Sequence, residues 1–220
     1  MDIPSGVVDV ILPCLDESGS LPGVLSALPP GCRAIVVDNG STDGSAEVAA
    51  AAGAKVVSEP RRGYGAAVHT GLEHATSDLV AVLDADGSLD PAALTALAGV
   101  VERGEADLAA GRRRPVPGAW PWHARAANAV LSALLRLQGV PVHDIAPVRV
   151  ARREALLGLG VTDRASGYPL ELLIRAGRAG WVVRECDVVY RPRSAGRSKV
   201  SGSVRGTVGA VRDMARVLLG

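Results

Sequence analysis

The stretch over residues 79–87 constrains the fold of this chain more than any other. Val80-Ala81-Val82-Leu83 is an apolar run bounded by small or acidic residues, the pattern of a strand buried on both faces. The run closes on Asp84-Ala85-Asp86-Gly87, and a strand that ends in Asp-x-Asp delivers two carboxylates to the C-terminal edge of its sheet, where open α/β sheets bind ligands. Hard oxygen ligands at such an edge suit Mg²⁺ or Mn²⁺, with substrate phosphates completing the coordination. The same two acids also fit a structural or solvated turn, so the surrounding chain has to decide.

That chain alternates strands with helices. Residues 7–12 are apolar apart from Asp9 and stop at Pro13, and Ser20 with Pro22 then offers an N-cap and a first-turn proline for a helix to about Leu28. Residues 34–37 repeat the pattern and end on the acceptor-rich loop Asp38-Asn39-Gly40-Ser41-Thr42-Asp43-Gly44, before an alanine-rich helix over 45–52. A third strand over 54–58, a helix opening at 61–67 and reaching about Ala75, and the strand over 79–83 complete the first half. Further on, Asp90-Pro91 starts a helix to about Arg103, and 108–111 reads as a small-residue strand leading into the loop Arg112-Arg113-Arg114-Pro115. A proline-rich turn precedes an Ala/Leu-rich helix over 123–137. A strand over 145–150, a short helix over 153–157, a helix carrying Glu171 and a strand over 181–190 follow. Residues 191–203 form a basic Gly/Ser-rich stretch, and 204–219 place Val204, Val208, Val211, Ala215 and Leu218 near one helix face.

This order predicts an α/β fold: a Rossmann-like three-layer α/β/α domain with a mainly parallel sheet and right-handed crossovers. Residues 1–220 are expected to form one domain, with about 7–110 and 111–220 as its two halves. A dinucleotide fingerprint is missing, because the first strand runs into Pro13-Cys14-Leu15-Asp16-Glu17 and not into Gly-x-Gly-x-x-Gly. Gly63-Tyr64-Gly65 comes two crossovers later and reads as a turn and helix-packing device, although its amides remain available to a phosphate.

Composition narrows the partners. The chain contains no Phe and only three each of Trp and Tyr, and its net charge is +1, which supplies neither base-stacking aromatics nor a global basic field, so no nucleic-acid partner is expected. Cys14, Cys32 and Cys186 are too few and too scattered for a disulfide framework or a zinc site, and read as free thiols of a cytoplasmic protein. No apolar run approaches the ~20 residues that span a bilayer, so the expectation is a soluble protein or one peripheral to the inner membrane face.

The motif order resembles family 2 glycosyltransferases of the GT-A fold. The matching elements are Val10-Ile11-Leu12-Pro13 with Asp16-Glu17, Val36-Val37-Asp38-Asn39-Gly40-Ser41-Thr42-Asp43, Arg62-Gly63-Tyr64-Gly65-Ala66-Ala67 with Gly71, and Leu83-Asp84-Ala85-Asp86. Gly111-Arg112-Arg113, Arg125 with Asn128, Asp144 to Arg149, Pro169-Leu170-Glu171 and Arg197-Ser198-Lys199 are similar to the polyprenyl-phosphate (dolichyl-phosphate) mannose and glucose synthase branch. Pro147-Val148 before Arg149 departs from that branch's usual Ser-Gly-Phe-Arg ending.

The resemblance implies an inverting transfer of mannose or glucose from GDP-mannose or UDP-glucose to a polyprenyl phosphate, with a soluble hydroxyl acceptor as the alternative. A sugar nucleotidyltransferase or a non-catalytic nucleotide-sugar-binding protein fits the residues less well. It implies that Pro13, Leu15, Glu17 and Asp38 line the nucleotide pocket with Asn39, Gly63 and Ala85 beside them. Asp38 equally fits a loop-capping carboxylate and Asn39 a turn residue. Asp86 is the implied direct metal ligand; Asp84 binds the metal or contacts ribose. Arg113, Arg125 and Arg149 are implied to form an acceptor-phosphate pocket, since guanidinium forks match phosphate oxygens. Arg193, Arg197, Ser198 and Lys199 lie in a loop that folds over the diphosphate or remains a plain basic loop. Glu171 is either a general base or the ion-pair partner of Arg149 or another cation, because an anionic phosphate acceptor needs positioning more than deprotonation. Asp86, Glu171 and Arg149 are thus the candidate catalytic set. Trp120 and Trp122 suit a membrane interface, a sugar or the core, and the C-terminal helix suits peripheral lipid attachment or docking on the domain.

Overall fold

The computed structural model describes residues 6–145, 147–196, 212–214 and 216–217. Seven strands form one sheet in the order β3-β2-β1-β4-β6-β5-β7. In chain order they are β1 (Val8–Cys14), β2 (Cys32–Asp38), β3 (Lys55–Ser58), β4 (Leu79–Val82), β5 (Leu108–Pro115), β6 (Arg149–Arg152) and β7 (Val183–Tyr190). The helices are α1 (Leu21–Ser26), α2 (Ser45–Ala51), α3 (Tyr64–His74), α4 (Ala93–Glu102), α5 (Trp122–Leu137), α6 (Arg153–Gly158) and α7 (Tyr168–Arg178). Strands β1 to β4 pair in parallel, as do β5 and β7, while β6 runs antiparallel to both of its neighbours, β4 and β5.

Alternation along the strands builds two cores. Val8, Val10 and Leu12 of β1 join Leu79, Ala81 and Leu83 under α1, α2 and α4; Ile11, Val80 and Val82 face α3, α5, α6 and α7. Strand β1 is buried almost throughout, and each fully buried Leu or Ile contributes roughly 1.5–3 kcal/mol. Close approach of α3 to β1 depends on Gly71, where an added Cβ would meet Ile11 Cγ2 at 2.3 Å.

Three local expectations change. Strand β5 does not stop at Gly111 but carries Arg112, Arg113 and Arg114 on to Pro115, paired along its length with β7. The strand expected over 145–150 begins only at Arg149, because Ile145 gives its amide to Asn128 Oδ1 (3.1 Å) and Pro147 has none to give. Ser20 sits at the start of α1 without capping it: its hydroxyl donates instead to the carbonyl of Ala85 at 2.9 Å. Residues 212–214 and 216–217 are helical, and Met214 and Val217 pack on the core beneath α7, so this part of the C-terminal helix is docked. The rest of 204–219 lies outside the described residues.

Asp9 explains its own presence in a buried strand. Its carboxylate accepts Arg33 Nε at 2.7 Å, Thr76 N at 2.7 Å and Ser77 N at 2.9 Å, tying β1 to β2 and to the turn that feeds β4. Burial pushes its pKa up, but the Arg33 and amide hydrogen bonds outweigh burial and hold it below the ordinary value. An acid with a depressed folded pKa contributes stability above its unfolded pKa of about 3.9 and loses it as pH falls through the folded value. Asp9→Ala, which strands two amides and a guanidinium, is therefore expected to cost about 3 kcal/mol at pH 7 in urea unfolding, with the gap from wild type closing as pH falls below about 4.

Candidate active site

A cleft of about 450 Å³ opens at the C-terminal edges of β1 and β4. The end of β1 contributes Pro13, Leu15 and Glu17, the loop after β2 Asn39, the start of α3 Gly63 and Tyr64, and the turn after β4 Asp84, Ala85 and Asp86. Arg113 of β5 and Arg149 of β6 close the far wall. With Arg193 of the basic stretch, eleven of the residues singled out in the sequence thus meet in one place.

The acidic turn is held from both ends of the chain. Asp86 is buried, and its Oδ1 accepts the Ser88 amide at 2.8 Å while Oδ2 pairs with Arg193 Nη2 at 2.9 Å. Arg193 also donates to Glu17 Oε1 at 3.0 Å, and the neighbouring Ser194 amide caps the Asp86 carbonyl at 3.1 Å. Asp84 is half-buried, and among the described residues nothing donates a hydrogen bond to its carboxylate. Burial and the Asp86 charge push its pKa up to about 7 against the pull of Arg113, Arg149 and Arg193. Burial likewise raises Glu17, partly offset by Arg193.

The two wall arginines differ in what they have left to offer. Arg113 spends its fork on Asp144, with Nε to Oδ2 at 2.8 Å and Nη2 to Oδ1 at 2.6 Å, and lies 3.8 Å over the Trp120 ring. Arg149 is only 3% exposed; Nη2 donates to the Ile145 carbonyl, but among the described residues its buried Nε and Nη1 have no partner. An unpaired buried guanidinium carries a large desolvation cost, and the acids of the cleft offset it only at a distance. Its free edge is therefore a ready site for an anion.

Other expected residues fall elsewhere. Asp38 is not in the cleft wall; its carboxylate accepts the Gly40 and Ser41 amides at 3.3 and 3.2 Å, the loop-capping geometry. Asn39 lines the cleft yet commits its side chain to the Glu59 and Arg61 carbonyls and the Gly63 amide, each at 2.8 Å. With Gly65 and Ala66 donating to the carbonyls of Ala165 and Arg164, the Gly63, Gly65 and Ala66 amides are not available to a phosphate. Gly63 itself has φ +146°, and a Cβ there would lie 2.1 Å from the Arg164 carbonyl oxygen, so only glycine fits. Arg125 is exposed beside a separate hollow of about 210 Å³ with Arg112, Arg114, Trp120 and His143. Arg197, Ser198 and Lys199 lie outside the described residues.

Glu171 takes the second of its two expected readings, an ion pair with another cation, and not that of a general base. It is buried, absent from the cleft wall, and saturated: Oε1 accepts from Thr162 N and Oγ1, both at 3.0 Å, and from Arg175 Nε at 2.6 Å, while Oε2 accepts Asp163 N at 2.6 Å. Burial raises its pKa, but the Asp163 and Thr162 amides outweigh burial and hold the carboxyl below its usual range, so it is a poor proton acceptor. Its ion-pair partner is Arg175, one helical turn on, and not Arg149. The cleft also contains residues that sequence spacing did not mark, among them Tyr64, Asp213 and Met214. Arg193 was visible only as one cation of a basic loop.

Set against known proteins, this arrangement has clear relatives. A family model described as glycosyl transferase family 2 matches residues 9–159. Uncharacterized glycosyltransferases of Mycobacterium bovis and Mycobacterium tuberculosis are 60% identical over 96% of this chain and 97% of their own length. The polyprenol monophosphomannose synthase of Mycolicibacterium smegmatis is 35% identical, covering 88% of this chain and 81% of that protein. Among solved structures, glucosyl-3-phosphoglycerate synthase from Mycobacterium tuberculosis in complex with Mn²⁺, uridine diphosphate and phosphoglyceric acid superposes with a TM-score of 0.78 at 25% identity, over 98% of this chain and 78% of that one. The chain belongs to glycosyl transferase family 2, its fold is GT-A, and it is a transferase.

Because Glu171 braces the loop before α7, Glu171→Gln is expected to lower unfolding stability by about 1–3 kcal/mol. Nucleotide-sugar affinity, read by calorimetry on the folded variant, should stay within about twofold of wild type.

Proposed function

We propose that this protein is an inverting, metal-dependent hexosyltransferase that transfers mannose or glucose from a nucleotide sugar to a polyprenyl phosphate. It would act as one domain, with residues of about 7–110 holding the donor and 111–220 the acceptor. The observation that carries the reading is Arg149, which lines the cleft beside the acidic turn and whose buried Nε and Nη1 have no partner among the described residues. A guanidinium edge of this kind matches two oxygens of a phosphate.

The acidic turn fits a divalent cation. Among the described residues nothing donates to the Asp84 carboxylate, and the side chain paired with Asp86 is itself a cation, Arg193. Among the described residues no group of three His, Cys, Asp or Glu could close a protein-only site, which suits an ion that keeps positions for water and diphosphate. When bound there, Mg²⁺ or Mn²⁺ would neutralise charge on the departing nucleoside diphosphate. The chain's own contributions are positional. Pro13, Leu15 and Glu17 would flank the nucleoside, Asp84 and Asp86 would hold the ion, and Arg149 would fix the acceptor phosphate opposite the leaving group. A phosphate acceptor is already anionic near neutral pH and needs no general base, which agrees with the saturated state of Glu171.

Similarity to the polyprenol monophosphomannose synthase supports both the lipid phosphate and mannose. A second reading, transfer to a soluble phosphate-bearing hydroxyl acceptor from UDP-glucose, is favoured by the structural neighbour crystallised with phosphoglyceric acid and UDP-glucose. Transfer of radiolabelled hexose separates them. Label from GDP-mannose or UDP-glucose should enter the butanol phase with decaprenyl phosphate and not the aqueous product with phosphoglycerate; the reverse would overturn the lipid assignment. Asp86→Ala should abolish metal-dependent donor binding. Arg149→Gln should lower kcat/KM for the acceptor about 100-fold with donor binding retained.

A further inference from the structure

Helix α5 is built inside out. Its buried positions are Asn128, Ser132 and Leu135, two of them polar. Asn128 joins the helix to the cleft wall by accepting the Ile145 amide at 3.1 Å and donating to the His143 carbonyl at 3.2 Å; Ser132 donates to the Asn128 carbonyl within the helix at 2.7 Å. Leu131 and Leu135 face the core, but three large apolar residues point the other way. Trp122, Val130 and Leu137 are 80%, 60% and 84% exposed, and at 100° per residue they share one stripe with Ala126, Ala129 and Ala133. Such a stripe, about 24 Å long, is not a surface for water alone.

The charges beside it say what covers it. From Leu108 to His143 the chain carries five arginines and not one Asp or Glu; Asp144 and Asp187 take up Arg113 and Arg114, which leaves Arg112, Arg125 and Arg136 without a carboxylate partner among the described residues. On the helical wheel Arg125 and Arg136 border the stripe on one side and His123 on the other. The acids that approach from β7 are already engaged: Glu185 pairs with His143 and Asp187 with Arg114, both at 2.8 Å. A second copy of the same face would set arginine against arginine with no counter-charge on the helix. An anionic bilayer meets both demands, because its acyl boundary accepts the stripe, its headgroups accept the bordering arginines, and a tryptophan at the helix start suits the interface between them.

We infer that α5 is the membrane-docking surface of this protein, lying in the headgroup plane of an anionic bilayer with the cleft beside it. Trp120, two residues before α5, stacks on Arg113 of the cleft wall, so a docked helix puts the cleft's far wall within reach of the lipid surface. The inference uses exposure and charge only and does not rest on the acceptor assigned above.

Co-sedimentation of the whole protein with vesicles that contain no polyprenyl phosphate tests it. Wild type should bind phosphatidylglycerol/phosphatidylcholine vesicles, with a blue shift of tryptophan emission that Trp122→Phe largely removes, and should bind pure phosphatidylcholine at least about tenfold less. Val130→Glu with Leu137→Glu, at exposed sites that leave the core intact, should lower the partition coefficient at least about tenfold while the thermal melt and nucleotide-sugar affinity are kept. Equal binding by the double variant would overturn the inference. So would a wild-type dimer in analytical ultracentrifugation that the same two substitutions dissociate, since that outcome gives the stripe to a second copy. Failure here with labelled hexose still entering lipid would leave the functional reading standing, and the converse holds equally.

Discussion

The pairing of β4 with the reversed strand β6 sets the electrostatics of the cleft. In that register Val82 lies opposite Arg149, and Ala110 of β5 faces Arg149 from the other side. A four-residue strand is only about 13 Å long, yet its direction decides which end its first residue occupies. Because β6 runs against its neighbours, its first residue stands at the edge where β4 delivers its last, beside Ala110 of β5 and two residues from Asp84 along the β4 path. A parallel β6 would have left that guanidinium at the opposite edge. The reversal therefore brings one unpaired cation and two carboxylates into a single partly buried space, where low effective dielectric makes each sensitive to the others. That one pairing sets Arg149 where it tempers the rise that burial and Asp86 impose on Asp84.

What was legible in the sequence follows from how local its cause is. Strands β1 to β4 and their helices are fixed by short-range periodicity and by acids or turns at strand ends, and the donor-side motifs arrive in the cleft because each ends its own strand. The errors come where a side chain's partner is distant in sequence. Arg113 looked like a free phosphate ligand until Asp144, 31 residues on, took both arms of its fork. Ser20 looked like a cap until the Ala85 carbonyl, 65 residues away, took its hydroxyl. For Glu171 the deciding donors, Thr162, Asp163 and Arg175, are close by, but Thr162 and Asp163 lie in an irregular loop whose path carries no periodic signal. Strand direction in β6 was unreadable for the same reason: four residues of mixed character encode neither parallel nor antiparallel pairing.

The acidic turn also shows that the division into a donor half and an acceptor half is one of motifs and not of forces. Asp84 and Asp86 end a strand of the first half, but Asp86 is held by Arg193 and Ser194, which follow the last strand. Arg193 reaches that position because β7 pairs with β5 over eight residues in register, which carries the chain back to the same edge after Tyr190. Glu17 from the first loop and Asp86 from the central turn share this one guanidinium, so two acids that repel each other are kept together by a cation contributed from more than 100 residues away. In the function proposed above, a cation bound at Asp86 would take over that role of Arg193 and so link donor binding to the segment that follows β7.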